Sequence, residues 1–306
     1  MQTPEPTVGT LRVVFAGIEL GGTKIICLVG TGPDGVVDER RIETRDPETT
    51  LADVRAFLEP HDVDAVGIAS FGPVELRPGH ASYGHITRTT KPGWSQTDVI
   101  RGVLGDRRVP VGFETDVNGA ALGEGRWGAA AGLRSFLYLT VGTGIGGGAV
   151  SNGQLVGGLG HTELGHVPVP RHPDDALPGV CPFHGDCFEG LASGPAFQAR
   201  LGRRLEDADE EQRALALELA AWYIGAGLRG FVYSFAPERI VLGGGVASLP
   251  GLLDAVLVRL RDELAGYPGL PEHLEDAFVC APALGGRAGS LGALVIAEAA
   301  LRGPRD

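Results

Sequence analysis

Lysine is scarce in this sequence. Lys and Arg together number 26, and only two of them, Lys24 and Lys91, are lysines. That skew reads as codon or lineage bias rather than as a binding signal, and it makes each surviving lysine worth following. Positive charge is short overall, with a formal net charge of −12. Nucleic-acid phosphates and anionic membrane surfaces need clustered Lys and Arg, so neither partner is expected. Cysteine is rare too. Cys27, Cys181, Cys187 and Cys280 are too few and too scattered for a scaffold built on disulfides. No uninterrupted apolar run reaches the roughly 18–20 residues that span a bilayer. The opening MQTPEPTVGT lacks a basic region followed by an apolar one, so it does not read as a secretion signal. A soluble cytoplasmic protein is the expectation. Finally, there is no Gly-Lys dipeptide, which excludes a G-x-x-x-x-G-K-[ST] phosphate loop.

What is present is ample for a packed fold. Hydrophobic residues make up 43% and charged residues 21%, enough for a sizeable core. A chain of 306 residues suggests two domains at about 100–200 residues each. LRVVFAGIEL (11–20) and TKIICLVG (23–30) read as strands joined by a Gly21-Gly22 turn, and VVDERRIET as a third. TLADVRAFL reads as a helix with Thr50 as a possible cap. VDAVGIASFG is a strand, TDVIRGVLG a short helix, VPVGFETD a strand ending at Asp116, and VNGAALGEGRWG a helix. SFLYLTVGTGIGGGAVSNGQLV then repeats the strand, glycine turn, strand pattern of the beginning. This loose repeat suggests two related α/β lobes. A helix over about 210–235, a strand at RIVLGGGVA, a helix at GLLDAVLVRLRDELAG, a strand at AFVCAPAL and a terminal helix at GSLGALVIAEAALRG complete an α/β alternation with two sheets.

Three glycine-rich turns follow apolar strands: ELGGTK (19–24), VGTGIGGG (141–148) and LGGGVA (242–247). Glycine lets backbone N–H groups approach a phosphate unobstructed. One such turn is commonplace, but three shift the balance towards a nucleotide. Gly142, Gly144 and Gly147 also spell G-x-G-x-x-G, with Glu163 about 20 residues on, as a nicotinamide-dinucleotide fingerprint would require. That motif must open a helix, whereas GGAVSNGQLVGG reads as a strand.

Asp116 and Asn118 lie at the end of a buried strand, the edge where α/β folds bind ligands. A carboxylate there can take a proton from a substrate hydroxyl, or it can simply cap the next helix. GHTELGH supplies His161, Glu163 and His166, and CFEG supplies Glu189; such groups can hydrogen-bond adjacent sugar hydroxyls. In VCPFHGDC, Cys181, His184 and Cys187 are spaced as zinc ligands. His166 is the natural fourth, with His161 and His172 as rivals and a Cys181–Cys187 disulfide as the plain alternative.

The ordered set GIELGGTK, TDVNGAALGE, TVGTGIGGG, HTELGH, CPFHGDCFEGLASGPA and IVLGGGV resembles the ROK sugar kinases, and within them the bacterial fructokinases, over nearly the whole chain. The resemblance implies an actin-like, hexokinase-like (ribonuclease H-like) α/β fold of two lobes around a cleft. The expected division is a smaller lobe at 1–118, joined by a C-terminal helix at about 289–306, and a larger lobe at 119–288 carrying the zinc loop. It implies ATP and Mg²⁺, a structural Zn²⁺, phosphate transfer to a sugar hydroxyl, and a homodimer. By position, Asp116 is the catalytic base, and Glu163, His166 and Glu189 touch the sugar. Asn118 is expected near the sugar as well. Gly21, Gly22, Thr23, Lys24, Gly142, Thr143, Gly144, Gly243, Gly244 and Gly245 serve the nucleotide. His166, Cys181, His184 and Cys187 ligate zinc, which is the primary role for His166. Glu19, two residues ahead of the first Gly-Gly, and Thr115, before the base, depart from the family's glucokinases, which carry Asp and Asn there. The expectation is fructose phosphorylation, with another hexose or a non-catalytic sugar-binding regulator as alternatives.

Overall fold

The computed structural model describes residues 13–303. Its frame is two five-stranded sheets of the same topology. The first runs β3-β2-β1-β4-β5, built from β1 (Phe15–Leu20), β2 (Lys24–Gly30), β3 (Val36–Glu43), β4 (Ala65–Ser70) and β5 (Val111–Thr115). The second runs β8-β7-β6-β9-β10, built from β6 (Phe136–Val141), β7 (Ile145–Ser151), β8 (Gln154–Leu155), β9 (Arg239–Gly243) and β10 (Val279–Cys280). In each, three antiparallel strands from consecutive hairpins are extended by two parallel strands. The repeat visible in the sequence is therefore a repeat of topology.

Both faces of each sheet are covered, which explains the continuous apolar runs. Along β1, Ala16, Ile18 and Leu20 join the core beneath α1 (Pro47–Leu58) and α2 (Val99–Leu104). Phe15 on the opposite face meets Leu291, Leu294 and Ala297 of α8 (Ala288–Arg302). Along β6, Leu137, Leu139 and Val141 face α6 (Glu210–Phe235) and α7 (Leu252–Leu264), while Phe136 and Tyr138 face α3 (Asp116–Trp127). The layers run α1/α2, first sheet, α8 with α3, second sheet, α6/α7.

α3 and α8 meet through glycine. A Cβ on Gly292 would fall inside the Gly119 carbonyl oxygen, and one on Gly123 inside the carbonyl of Ala288. Only residues without side chains allow the two backbones to come this close.

Helix ends follow local chemistry. α1 is capped by Asp46, whose carboxylate accepts from the Thr49 N–H at 2.9 Å, with Pro47 in its first turn. This corrects the expectation for Thr50, which is buried inside α1 and accepts from the Arg45 N–H. α6 carries a capping box from Asp209 and Gln212. It is long and apolar enough by length and composition to cross a membrane, yet 67% of that stretch is buried in the protein. Two short helices, α4 (Phe188–Ala192) and α5 (Gly194–Leu201), were not anticipated. The AFVCAPAL strand shrinks to β10. The strand expected from residue 11 begins at Phe15; residues 11 and 12, and the last residues of the expected 289–306 helix, lie outside the described residues. Gly142-x-Gly144-x-x-Gly147 leads into strand β7 rather than a helix, which removes the dinucleotide fingerprint.

Candidate active site

Three neighbouring cavities open where the strand ends and glycine turns of the two sheets converge. The first, about 480 Å³, is lined by Gly22, Arg88, Asp116, Thr140, Gly142–Gly144, His161, Glu163, His166, Phe183 and Glu189, among others. The second, about 690 Å³, shares Gly142 and Thr143 with it and continues past Gly194, Pro195, Arg204, Gly245 and Ser248. The third, about 720 Å³, shares Ser248 and Leu249 with the second and is lined by Glu19, Lys24, Tyr138, Gly243, Gly244 and Gly289. The glycine turns are thus the partitions between adjoining chambers.

Asp116 opens α3 directly after β5. The cap is Thr115, whose hydroxyl accepts from the Asn118 N–H at 3.1 Å, so the carboxylate of Asp116 is not consumed by capping. One carboxylate oxygen accepts from the Val117 N–H at 2.9 Å. Desolvation raises its pKa to about 6, opposed by backbone hydrogen bonds and the nearby His161. A carboxylate tuned upward in a cleft is suited to taking a proton near neutral pH. Glu19 is raised to about 7, chiefly by burial and then by the charge of Asp116. One of its carboxylate oxygens is buried without a hydrogen-bond partner.

The polar wall is assembled from distant segments. His161 accepts from the Val74 N–H through Nε2 at 3.2 Å, tying the second half of the chain to the first. Its Nδ1 lies 3.5 Å from the Glu163 carboxylate. Glu189 accepts from the Ile145 N–H at 2.9 Å, beside Gly144, which fixes it to the turn after β6. Asn118 differs from the expectation. It is buried, donates to Glu114 at 2.8 Å and does not line the 480 Å³ cavity. The helix begins at Asp116, so two residues on the side chain has swung to the opposite face.

The first glycine turn divides its labour. The Gly21 N–H and C=O are spent on Lys24 and Thr44, and the Thr23 C=O accepts from the Thr44 N–H, while Gly22 faces the cavity. Gly244 has φ of +99°, and a Cβ there would strike the Val141 backbone, so that position needs glycine.

His166, Cys181, His184 and Cys187 place their ligand atoms within 4.8 Å of one another. His166 Nδ1 lies 3.7 Å from the Cys181 sulfur and 3.6 Å from the Cys187 sulfur, and His184 Nδ1 lies 3.8 Å from the Cys181 sulfur. Ideal zinc bond lengths put N···S edges of a tetrahedron at about 3.6 Å, so the donors fit zinc. All four cysteines are free. His161 is engaged by Val74, and His172 packs on Trp222 beside Glu218, so neither rival belongs to the cluster. Cys187 is the residue before α4, and Glu189 stands in the first turn of α4. The cluster therefore anchors the helix that aims Glu189.

Sequence reasoning missed Arg88 and Phe183 as cavity-lining residues, whereas His161, picked out in GHTELGH, does line the cavity. Arg88 stacks over Phe183 at 5.7 Å, joining the first half of the chain to the cysteine loop. No local pattern signals such a pair, since the partners lie far apart in sequence.

Two sheets of duplicated topology around a cleft edged by glycine turns define the two-lobed, actin-like and hexokinase-like class. The profile of the ROK family matches residues 15–300, and the chain belongs to that family. It is 40% identical to the fructokinase of Zymomonas mobilis over 94% of this chain and 98% of that protein. The solved ROK hexokinase of Thermus thermophilus is 30% identical, with a TM-score of 0.74 over 94% of this chain and 98% of the other. A ROK family glucokinase of Streptomyces griseus, solved with glucose and AMPPNP, is 26% identical with a TM-score of 0.71 over 93% and 99%.

Proposed function

We propose that the protein is an ATP-dependent hexose kinase that converts D-fructose to fructose 6-phosphate, with Asp116 as catalytic base. The observation that carries this reading is the position of Asp116. It stands at a strand's carboxyl end, its pKa raised to about 6, in a cavity it shares with two glycine turns and the polar residues Glu163, His166 and Glu189. Higher identity to a fructokinase than to a glucokinase favours fructose.

The sugar sits in the 480 Å³ cavity, with Glu163 and Glu189 accepting from its hydroxyls. The nucleotide lies along the two larger cavities, where Gly142, Thr143, Gly243, Gly244 and Gly245 bring backbone close to it. Asp116 takes the proton as the primary hydroxyl attacks the terminal phosphate, and the glycine N–H groups stabilise the charge that develops on the phosphoryl oxygens. Glu19, buried beside the charge of Asp116 with one carboxylate oxygen left without a partner, is the carboxylate suited to hold Mg²⁺, which leaves Asp116 free as base. When bound, Mg²⁺ neutralises phosphate charge. Zn²⁺ held by His166, Cys181, His184 and Cys187 is structural, because four protein ligands leave no open position.

A coupled ADP-release assay over fructose, mannose, glucose and N-acetyl hexosamines tests the reading. Sugar-dependent release with the highest kcat/KM for fructose is expected. No release with any sugar overturns the kinase, and a higher kcat/KM for another hexose overturns the fructose assignment.

A further inference from the structure

We propose that Lys91 is a second catalytic residue, a mobile cation that holds the phosphoryl group as it crosses from nucleotide to sugar. The inference rests on the kinase reading above. Lys91 Nζ donates to the Gly22 carbonyl at 2.6 Å, at the tip of the first glycine turn. Gly22 lines the cavity that contains Asp116, and the space where its Cβ would lie is open. The ammonium thus rests at the edge of the transfer path, on a neutral carbonyl rather than a carboxylate, with its charge left for an anion.

The surrounding segment is built to present it. The Lys91 N–H donates to the Thr89 hydroxyl at 3.3 Å, and its carbonyl accepts from the Trp94 N–H at 3.2 Å. Trp94 is fully buried, and its indole N–H donates to the Arg45 carbonyl at 2.8 Å. A rigid turn pinned in the first sheet's core therefore carries one long, half-buried side chain to the cleft. The residue type is a second, independent signal. In a chain whose cations are otherwise arginine, both lysines gather at this turn, Lys24 leaving it in sequence and Lys91 meeting it in space. A compact ammonium on a flexible stem can exchange a carbonyl for a phosphoryl oxygen, whereas a planar guanidinium demands a forked partner.

In the step itself the sugar oxygen bonds to phosphorus, and the bond from phosphorus to the bridging oxygen breaks. Its electron pair leaves with ADP, and the hydroxyl proton goes to Asp116. Lys91 keeps its protons throughout and acts by charge alone.

Lys91→Gln keeps an N–H donor for Gly22 but removes the charge, and Lys91→Arg keeps the charge. For Lys91→Gln we expect kcat to fall about 10²-fold or more, as when one donor to a transition-state charge is lost. Its KM for fructose and its melting temperature should match wild type, and calorimetry should show weaker ATP binding with ADP binding unchanged. Lys91→Arg, with the charge but not the compact head, should recover only part of the lost rate. Wild-type kcat in Lys91→Gln, or an equal loss of ATP and ADP affinity, overturns the proposal and leaves Lys91 as a support for the turn. If wild type binds ATP but phosphorylates no sugar, the kinase reading fails separately, and the ATP-over-ADP preference of Lys91→Gln still decides whether Lys91 senses the terminal phosphate.

Discussion

Replacing Asp116 with Asn should damage activity and improve stability together. The substitution keeps an oxygen for the Val117 N–H and changes little in volume. It removes the proposed proton acceptor, so kcat should fall by about 10²–10⁴-fold, while ATP still binds. The stability effect follows from the pKa. Burial pushes the carboxyl up to about 6 in the folded protein, from an ordinary aspartate value of 3.8. Roughly two pKa units at 1.36 kcal/mol each is about 3 kcal/mol, and the hydration the group retains brings the expectation to about 1–3 kcal/mol. The sign follows from linkage. Between those two values the folded state holds more protons than the unfolded one, so the wild type loses stability as pH rises through about 6. The neutral Asn escapes that loss. Denaturant melts of both proteins at pH 4.5 and pH 8 should show the variant's advantage growing about threefold between the two, because the loss begins as the unfolded carboxyl ionises near 3.8 and is complete above about 6. In the wild type, kcat/KM should rise with pH through about 6 as the base ionises. Turnover within tenfold of wild type, or a stability difference independent of pH, would refute the reasoning.

Two further outcomes test the frame of the site. Elemental analysis should find about one zinc per chain, and Cys181→Ser should lose it and raise the KM for fructose more than that for ATP; a variant without metal but with unchanged KM would separate the cluster from Glu189. Gly292→Ala should destabilise the fold by about 1–3 kcal/mol or more through overpacking of the α3–α8 seam, read by denaturant midpoint, and a wild-type midpoint would show that the helices can part at no cost.

The sequence carried the fold wherever the signal was local. Glycine turns between apolar strands, the long apolar stretch of α6 and the repeated strand–turn–strand unit are each read within one continuous segment. The Cys/His cluster was legible for the same reason, since Cys181, His184 and Cys187 share one loop and His166 lies close upstream. Legibility failed where geometry depends on phase or on distance. A helix beginning at Asp116 rather than one residue later turns Asn118 inward. The Asp46-Pro47 pair, a readable N-terminal signal, was passed over for Thr50. Arg88 on Phe183 and His161 on Val74 are meetings of the two halves of the chain, and no window contains both partners.

The glycine seam also has a consequence for the site. At Gly119 and Gly292 the backbones of α3 and α8 meet directly, while Leu122 of α3 packs beside Ala293 and Ile296 of α8, so the two sheets are locked at a fixed short spacing. The first residue of α3 is Asp116. The close approach that glycine allows between α3 and α8 therefore also sets where the Asp116 carboxylate stands relative to both sheets.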